Sequence, residues 1–165
     1  EPKPLETRRK YLIGYPDLQM LESRPNCERV EIMQAYLRSD IPGEVIRIRQ
    51  RGTDGNYVYF KTRKRNIEGG KRIELEERLT RRESQTRRRP ADPDYRIIRK
   101  DRFCLSENGL YYNIDIYPQW KDQALMEIEL YSADDSVRFP EGIRVIREVS
   151  GEEEFTNPYI ARNSH

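Results

Sequence analysis

Val45-Ile46-Arg47-Ile48-Arg49 sets two guanidinium groups on alternate positions of the chain and aliphatic side chains between them. A strand points successive side chains to opposite faces, so this run reads as a strand with one apolar and one cationic face. The alternation recurs. Tyr57, Tyr59 and Lys61 share one face while Val58 and Phe60 share the other, and Arg72, Glu74, Glu76 and Arg78 alternate with Ile73 and Leu75. Asn113, Asp115 and Tyr117 alternate with Ile114 and Ile116, and Glu127 and Glu129 alternate with Met126, Ile128 and Leu130. Repeated period-two segments of this kind predict a sheet. An ordinary water-facing sheet mixes Thr, Ser, Lys and Glu, whereas here Arg-x-Arg and Glu-x-Glu pairs are segregated strand by strand. Closing the sheet would turn like-charged strands toward opposite-charged ones across a wet interior. The expected fold is therefore mostly β (α+β), a closed antiparallel barrel lined with charge and carrying a few peripheral helices.

Short turns join the runs. Asp54-Gly55, Glu68-Gly69-Gly70 and Asn108-Gly109 each separate two extended segments, and such turns connect antiparallel neighbours. Strands are expected over 5–13, 29–38, 44–51, 56–64, 71–79, 95–104, 110–117, 124–131 and 144–150, about eight of them forming the barrel. Helix signals are few: Pro16 opens one over 16–23, and Ser132 to Val137 is a short polar candidate. The Arg-rich stretch 81–94 ends in Pro90-Ala-Asp-Pro93 and reads as a mobile loop.

Composition narrows the function. The chain has 165 residues, enough for one domain spanning 5–162. Its 31 basic and 29 acidic residues leave a net charge of +2, which argues against a dedicated nucleic-acid binder even with Arg87-Arg88-Arg89 in the chain. Cys27 and Cys104 have neither disulfide-scaffold nor zinc spacing, so a reducing, cytoplasmic setting is expected. No apolar run reaches the roughly 18 residues of a membrane span. The opening Glu1-Pro-Lys-Pro4 lacks an initiator Met, and the expectation is a fragment of a larger protein.

Read in order, ten elements carry a resemblance. They are Glu6-x-x-x-Lys10, Val30-Glu31-Ile-Met-Gln-Ala-Tyr-Leu37, Ile46-Arg-Ile-Arg49, Phe60-Lys61, Arg72-x-Glu74-x-Glu76, Arg99-Lys100-x-Arg102, Asp115, Glu127-Ile-Glu129, Arg147-Glu-Val149 and Asn157-x-x-Ile-Ala161. Together they resemble the CYTH domain of the triphosphate tunnel metalloenzymes. That family comprises class IV adenylyl cyclases, thiamine triphosphatases and inorganic triphosphatases. The resemblance implies an eight-stranded antiparallel barrel enclosing a charged tunnel. It also implies a partner, because the domain occurs fused to P-loop ATPases; no glycine-rich phosphate loop lies within this sequence.

A triphosphate is crowded with anionic oxygens, which suit the planar, multi-donor guanidinium. Lys10, Arg47, Arg49, Lys61, Lys100 and Arg102 are the expected phosphate-binding residues. Carboxylates repel such a substrate unless divalent cations lie between. Under the resemblance, Glu6, Asp115, Glu127 and Glu129 are metal candidates holding Mg or Mn, and Glu6, Glu127 and Glu129 form the catalytic set; Glu74 and Glu76 are further tunnel residues. One position departs from the family, whose first strand reads Glu-x-Glu-x-Lys: Arg8 stands in the place of the second glutamate. A cation there opposes metal binding. The expected function is metal-dependent hydrolysis of inorganic tripolyphosphate or a nucleoside triphosphate. The alternative is a degenerate tunnel that binds a nucleotide or phosphoinositide headgroup as a regulatory module of a larger ATPase.

Overall fold

A computed structural model describes residues 7–67, 72–88, 91–130 and 134–163, without the side chain of Arg72. Nine strands appear: β1 (Thr7–Gly14), β2 (Cys27–Leu37), β3 (Val45–Thr53), β4 (Asn56–Asn66), β5 (Arg72–Leu79), β6 (Ile98–Glu107), β7 (Leu110–Ile116), β8 (Gln123–Leu130) and β9 (Val145–Glu148). Three short helices accompany them: α1 (Leu18–Ser23), α2 (Arg81–Arg87) and α3 (Asn157–Asn163). Every segment expected to be extended overlaps one of the strands, with ends that shift by up to three residues. The chain divides into two compact units, Glu1–Val30 with Lys100–Phe155, and Glu31–Arg99 with Thr156–His165.

In the first unit the hydrogen-bonded order is β6-β7-β8-β1-β9. Asn108 and Gly109 both have positive φ, 57° and 72°, the signature of a two-residue turn whose twist matches that of the strands it joins. Alternation then sorts the side chains. Phe103, Leu105, Tyr112, Ile114, Met126, Ile128, Tyr11 and Ile13 fall on one face and are buried together. Helix α1 closes this core with the fully buried Leu21. The helix expected over 16–23 is present but starts two residues later, leaving Pro16 outside it: Asp17 is the cap, its Oδ1 accepting from the amides of Gln19 and Met20 at 3.1 and 3.2 Å.

The second unit runs β2-β3-β4-β5. Asp54 and Gly55, φ 50° and 85°, make the predicted tight turn, which pairs Thr53 with Asn56. Leu37, Ile46, Ile48 and Leu79 form the buried cluster on one face, with Tyr59 against it. Gly52 permits the turn, because a Cβ there would lie 2.0 Å from the backbone oxygen of Asn56. Gly52→Ala is expected to cost about 1–3 kcal/mol through this clash. Urea unfolding checks it, and unchanged stability would mean that the β3–β4 turn is built differently.

The sequence expectation differs from the structure in three places. Within 81–94, residues 81–87 are helix: Thr80 caps the amide of Glu83 while Glu83 reaches back to the amide of Thr80, a capping box that outweighs the run of arginines. Arg87 adds ion pairs to Glu83 and Glu77. Of the helix expected at Ser132–Val137, residues 132 and 133 lie outside the described residues and 134–137 form a turn and irregular chain. The turn Glu68-Gly69-Gly70 also lies outside them, although β4 and β5 pair antiparallel as that turn implied. Finally, the strand order β5-β4-β3-β2-β6-β7-β8-β1-β9 is open, so hydrogen bonds among the described residues do not close the eight-stranded barrel. The four-residue β9 pairs with β1.

Candidate functional site

In the first unit, the face opposite the apolar core carries the ionisable groups. Register places Arg8 opposite Glu129 and Lys10 opposite Glu127 across β1 and β8. Glu127 in turn lies opposite Asn113 on β7, and Asp115 lies opposite Arg102 on β6. Adjacent strands thus hold Lys10, Lys100, Arg102, Asp115, Glu127 and Glu129 on one surface, as the alternation implied. Glu6 lies outside the described residues.

Asp115 is the buried centre. Its Oδ2 accepts from Lys100 Nζ at 2.9 Å and Arg102 Nη2 at 3.1 Å, and its Oδ1 accepts from Arg102 Nε at 2.8 Å. Burial alone would raise its pKa; the charges of Lys100 and Arg102 more than offset this and hold the carboxyl well below the usual range. Burial pushes Lys100 down to about 8, Asp115 only partly opposing it. The desolvating surface is aromatic: Lys100 Nζ lies 5.5 Å from the Tyr117 ring centre, and Tyr117 packs on Trp120 at 4.7 Å. Trp120 also meets Phe155 at 6.5 Å and belongs to this wall. Lys10 Nζ donates to the backbone oxygen of Phe155 at 3.1 Å.

Glu127 and Glu129 are a quarter exposed, and the guanidinium of Arg8 lies 3.6 Å from one carboxylate and 3.9 Å from the other. These contacts are longer than a direct hydrogen bond, so Arg8 stands as a shared counter-ion to both.

In the second unit Arg47 and Arg49 share one face of β3. Arg47 and Arg49 lie opposite Thr62 and Phe60. Arg47 Nη1 donates to the buried Gln34 Oε1 at 3.1 Å. Beside it, Arg47 Nε and the Tyr36 hydroxyl are buried without a hydrogen-bond partner among the described residues. Burial pushes Tyr36 up to about 12, with Arg47 opposing, so the hydroxyl keeps its proton. A buried guanidinium Nε beside a phenol hydroxyl suits an oxyanion or water.

Lys61 lies apart from the two arginines. It lies opposite Ile48 and Glu77, which puts it on the apolar-cluster face and away from Arg47 and Arg49. Lys64, three residues on, shares the arginine face and pairs with Glu74 at 3.6 Å, with Glu76 opposite Thr62 on the same surface. The Asp54-Gly55 turn held the signal, since a two-residue turn pairs the odd-numbered arginines of β3 with even-numbered residues of β4. Asn113 was also left out of the expected site, although it shares the parity of Asp115.

Does this donor set fit the expected Mg or Mn? Divalent cations of this kind take several oxygen ligands. Asp115 is engaged by three hydrogen bonds from two cations, and Glu127 and Glu129 share Arg8. Among the described residues no three His, Cys, Asp or Glu side chains could hold a metal ion together. As arranged, the described groups do not form a divalent site.

No protein-family model matches the chain, and no curated protein matches it. Solved structures do. The chain is similar to the hypothetical protein NE1496, with 24% identity and a TM-score of 0.66 over 96% of this chain and 98% of that one. A second structure, of the inorganic triphosphatase NE1496, gives 23% identity and a TM-score of 0.65 over 96% and 95%. A conserved hypothetical protein from Pyrococcus furiosus gives 20% and 0.51 over 79% and 81%. At these identities the likeness speaks for the fold alone: this chain has the fold of the NE1496 structures.

Proposed function

We propose that this chain hydrolyses a triphosphate, either inorganic tripolyphosphate or a nucleoside triphosphate, in the tunnel its family resemblance implies. One observation carries the reading: in the first unit the apolar core takes one face of the sheet while Lys10, Arg102, Asp115, Glu127 and Glu129 take the other, and in the second unit Arg47, Arg49 and Lys64 share a face. The inorganic triphosphatase NE1496 has this fold over nearly its whole length, which supports the same substrate class here. Within the first unit Lys10 and Arg102, and within the second Arg47, Arg49 and Lys64, are the groups this reading assigns to phosphate. Lys100 is 1% exposed at its side chain, so it acts through Asp115 and Arg102 by fixing their positions. The expected Mg or Mn would neutralise phosphate charge if bound, and no step is assigned to it.

Arg8 favours a second reading. A guanidinium between Glu127 and Glu129 suits a module that binds a phosphorylated ligand without turning it over. Phosphate release from tripolyphosphate, ATP and GTP, with Mg and then Mn, separates the two. Turnover is the expected result. Binding without turnover selects the second reading, and the absence of both would refute each.

A further inference from the structure

We propose that Arg8 is a resident counter-cation for Glu127 and Glu129, so that a divalent metal reaches this carboxylate pair only by displacing the guanidinium. The inference concerns the same face as the proposed function and rests on the geometry of β1 and β8 alone. Register puts Arg8 directly opposite Glu129 and two residues from the position opposite Glu127. Its guanidinium lies within 4 Å of both carboxylates. A divalent ion bridging the two would have to occupy that space. The two cations would also repel each other at short range.

Exposure makes displacement feasible. The Arg8 side chain is 57% exposed, against 25% and 27% for its partners, so it can swing into water without disturbing the core. Exposed pairs at this spacing contribute little to stability, so the arrangement acts mainly on which cation the carboxylates hold. The other nearby carboxylate does not change this, because Asp115 is saturated by Lys100 and Arg102. The physical consequence is a carboxylate pair whose metal response Arg8 weakens; Lys10, opposite Glu127, and Arg102, whose charge Glu127 also feels, stay beside it in either case. A phosphate oxygen approaching this face then meets a guanidinium where a metal would otherwise stand.

The test titrates Mn2+ alone into the intact chain by calorimetry, comparing wild type, Arg8→Gln and Arg9→Gln. Arg9 pairs with Glu148 and alternates to the other face of β1, so its variant removes the same charge from the wrong side. Arg8→Gln is expected to bind Mn2+ about tenfold more tightly than wild type or more tightly still, with Arg9→Gln close to wild type. Equal affinity in wild type and Arg8→Gln would overturn the proposal. So would the same tightening in both variants, or no Mn2+ binding by Arg8→Gln at millimolar concentration. Since no triphosphate is present, failure of the hydrolase reading leaves this result standing, and failure here leaves that reading to its own assay.

Discussion

Asp115→Ala is expected to lose about 3–5 kcal/mol of unfolding free energy, the usual consequence of leaving a buried charge without its partner. Two cations depend on this one carboxylate. Lys100 and Asp115 are 3% and 9% exposed, so water does not replace the lost anion. Adding Lys100→Met to Asp115→Ala should recover part of the loss, because one of the orphaned charges is then gone. Urea unfolding of the single and double variants measures both effects. A loss below about 1 kcal/mol would mean that the cluster is solvated. The same groups set the pH response. Asp115 has its pKa lowered on folding, so its contribution is present above the ordinary aspartate value of 3.8 and is lost as pH falls toward the folded value. Lys100 is lowered from 10.5 to about 8, so between those values the unfolded chain holds a proton that the folded chain has released. Its burial penalty is relieved across that window, and stability from this group rises with pH there.

Arg49→Ala is expected to lower kcat/KM for triphosphate hydrolysis by about 100-fold, whereas Lys61→Ala stays within about threefold of wild type. A charge-assisted hydrogen bond contributes about 1.5–3 kcal/mol, and a guanidinium makes two at once. Lys61 lies against Ile48 on the apolar-cluster face, where its pKa is lowered by burial and by Arg63 and Arg87. Lys64→Ala should resemble Arg49→Ala in direction. Steady-state phosphate release on the three variants decides the matter. A large loss in Lys61→Ala with none in Lys64→Ala would overturn the face assignment.

The strands were legible because period-two patterning is strong wherever one face is buried, as in Glu127-Ile128-Glu129-Leu130. The site was legible only to the extent that register could be read. Arg47 and Arg49 follow from their own strand, but placing Lys64 rather than Lys61 beside them requires carrying parity through the Asp54-Gly55 turn. Asp115 shows a different limit. Its position on the charged face follows from alternation, yet its commitment to Lys100 and Arg102 depends on side-chain reach across β6 and β7, which no spacing reveals. Helix α2 was hidden because the charge of Arg81-Arg82 and Arg87-Arg88 drew the reading toward a solvated loop, while Thr80-x-x-Glu83 carried the helix start.

Calorimetric titration of tripolyphosphate at low salt tests most directly whether these ionic faces form a polyphosphate site. Wild type is expected to show saturable binding that weakens as salt is added and falls by about tenfold or more in Arg49→Ala. No binding by wild type at low ionic strength, or equal binding by Arg49→Ala, would contradict it.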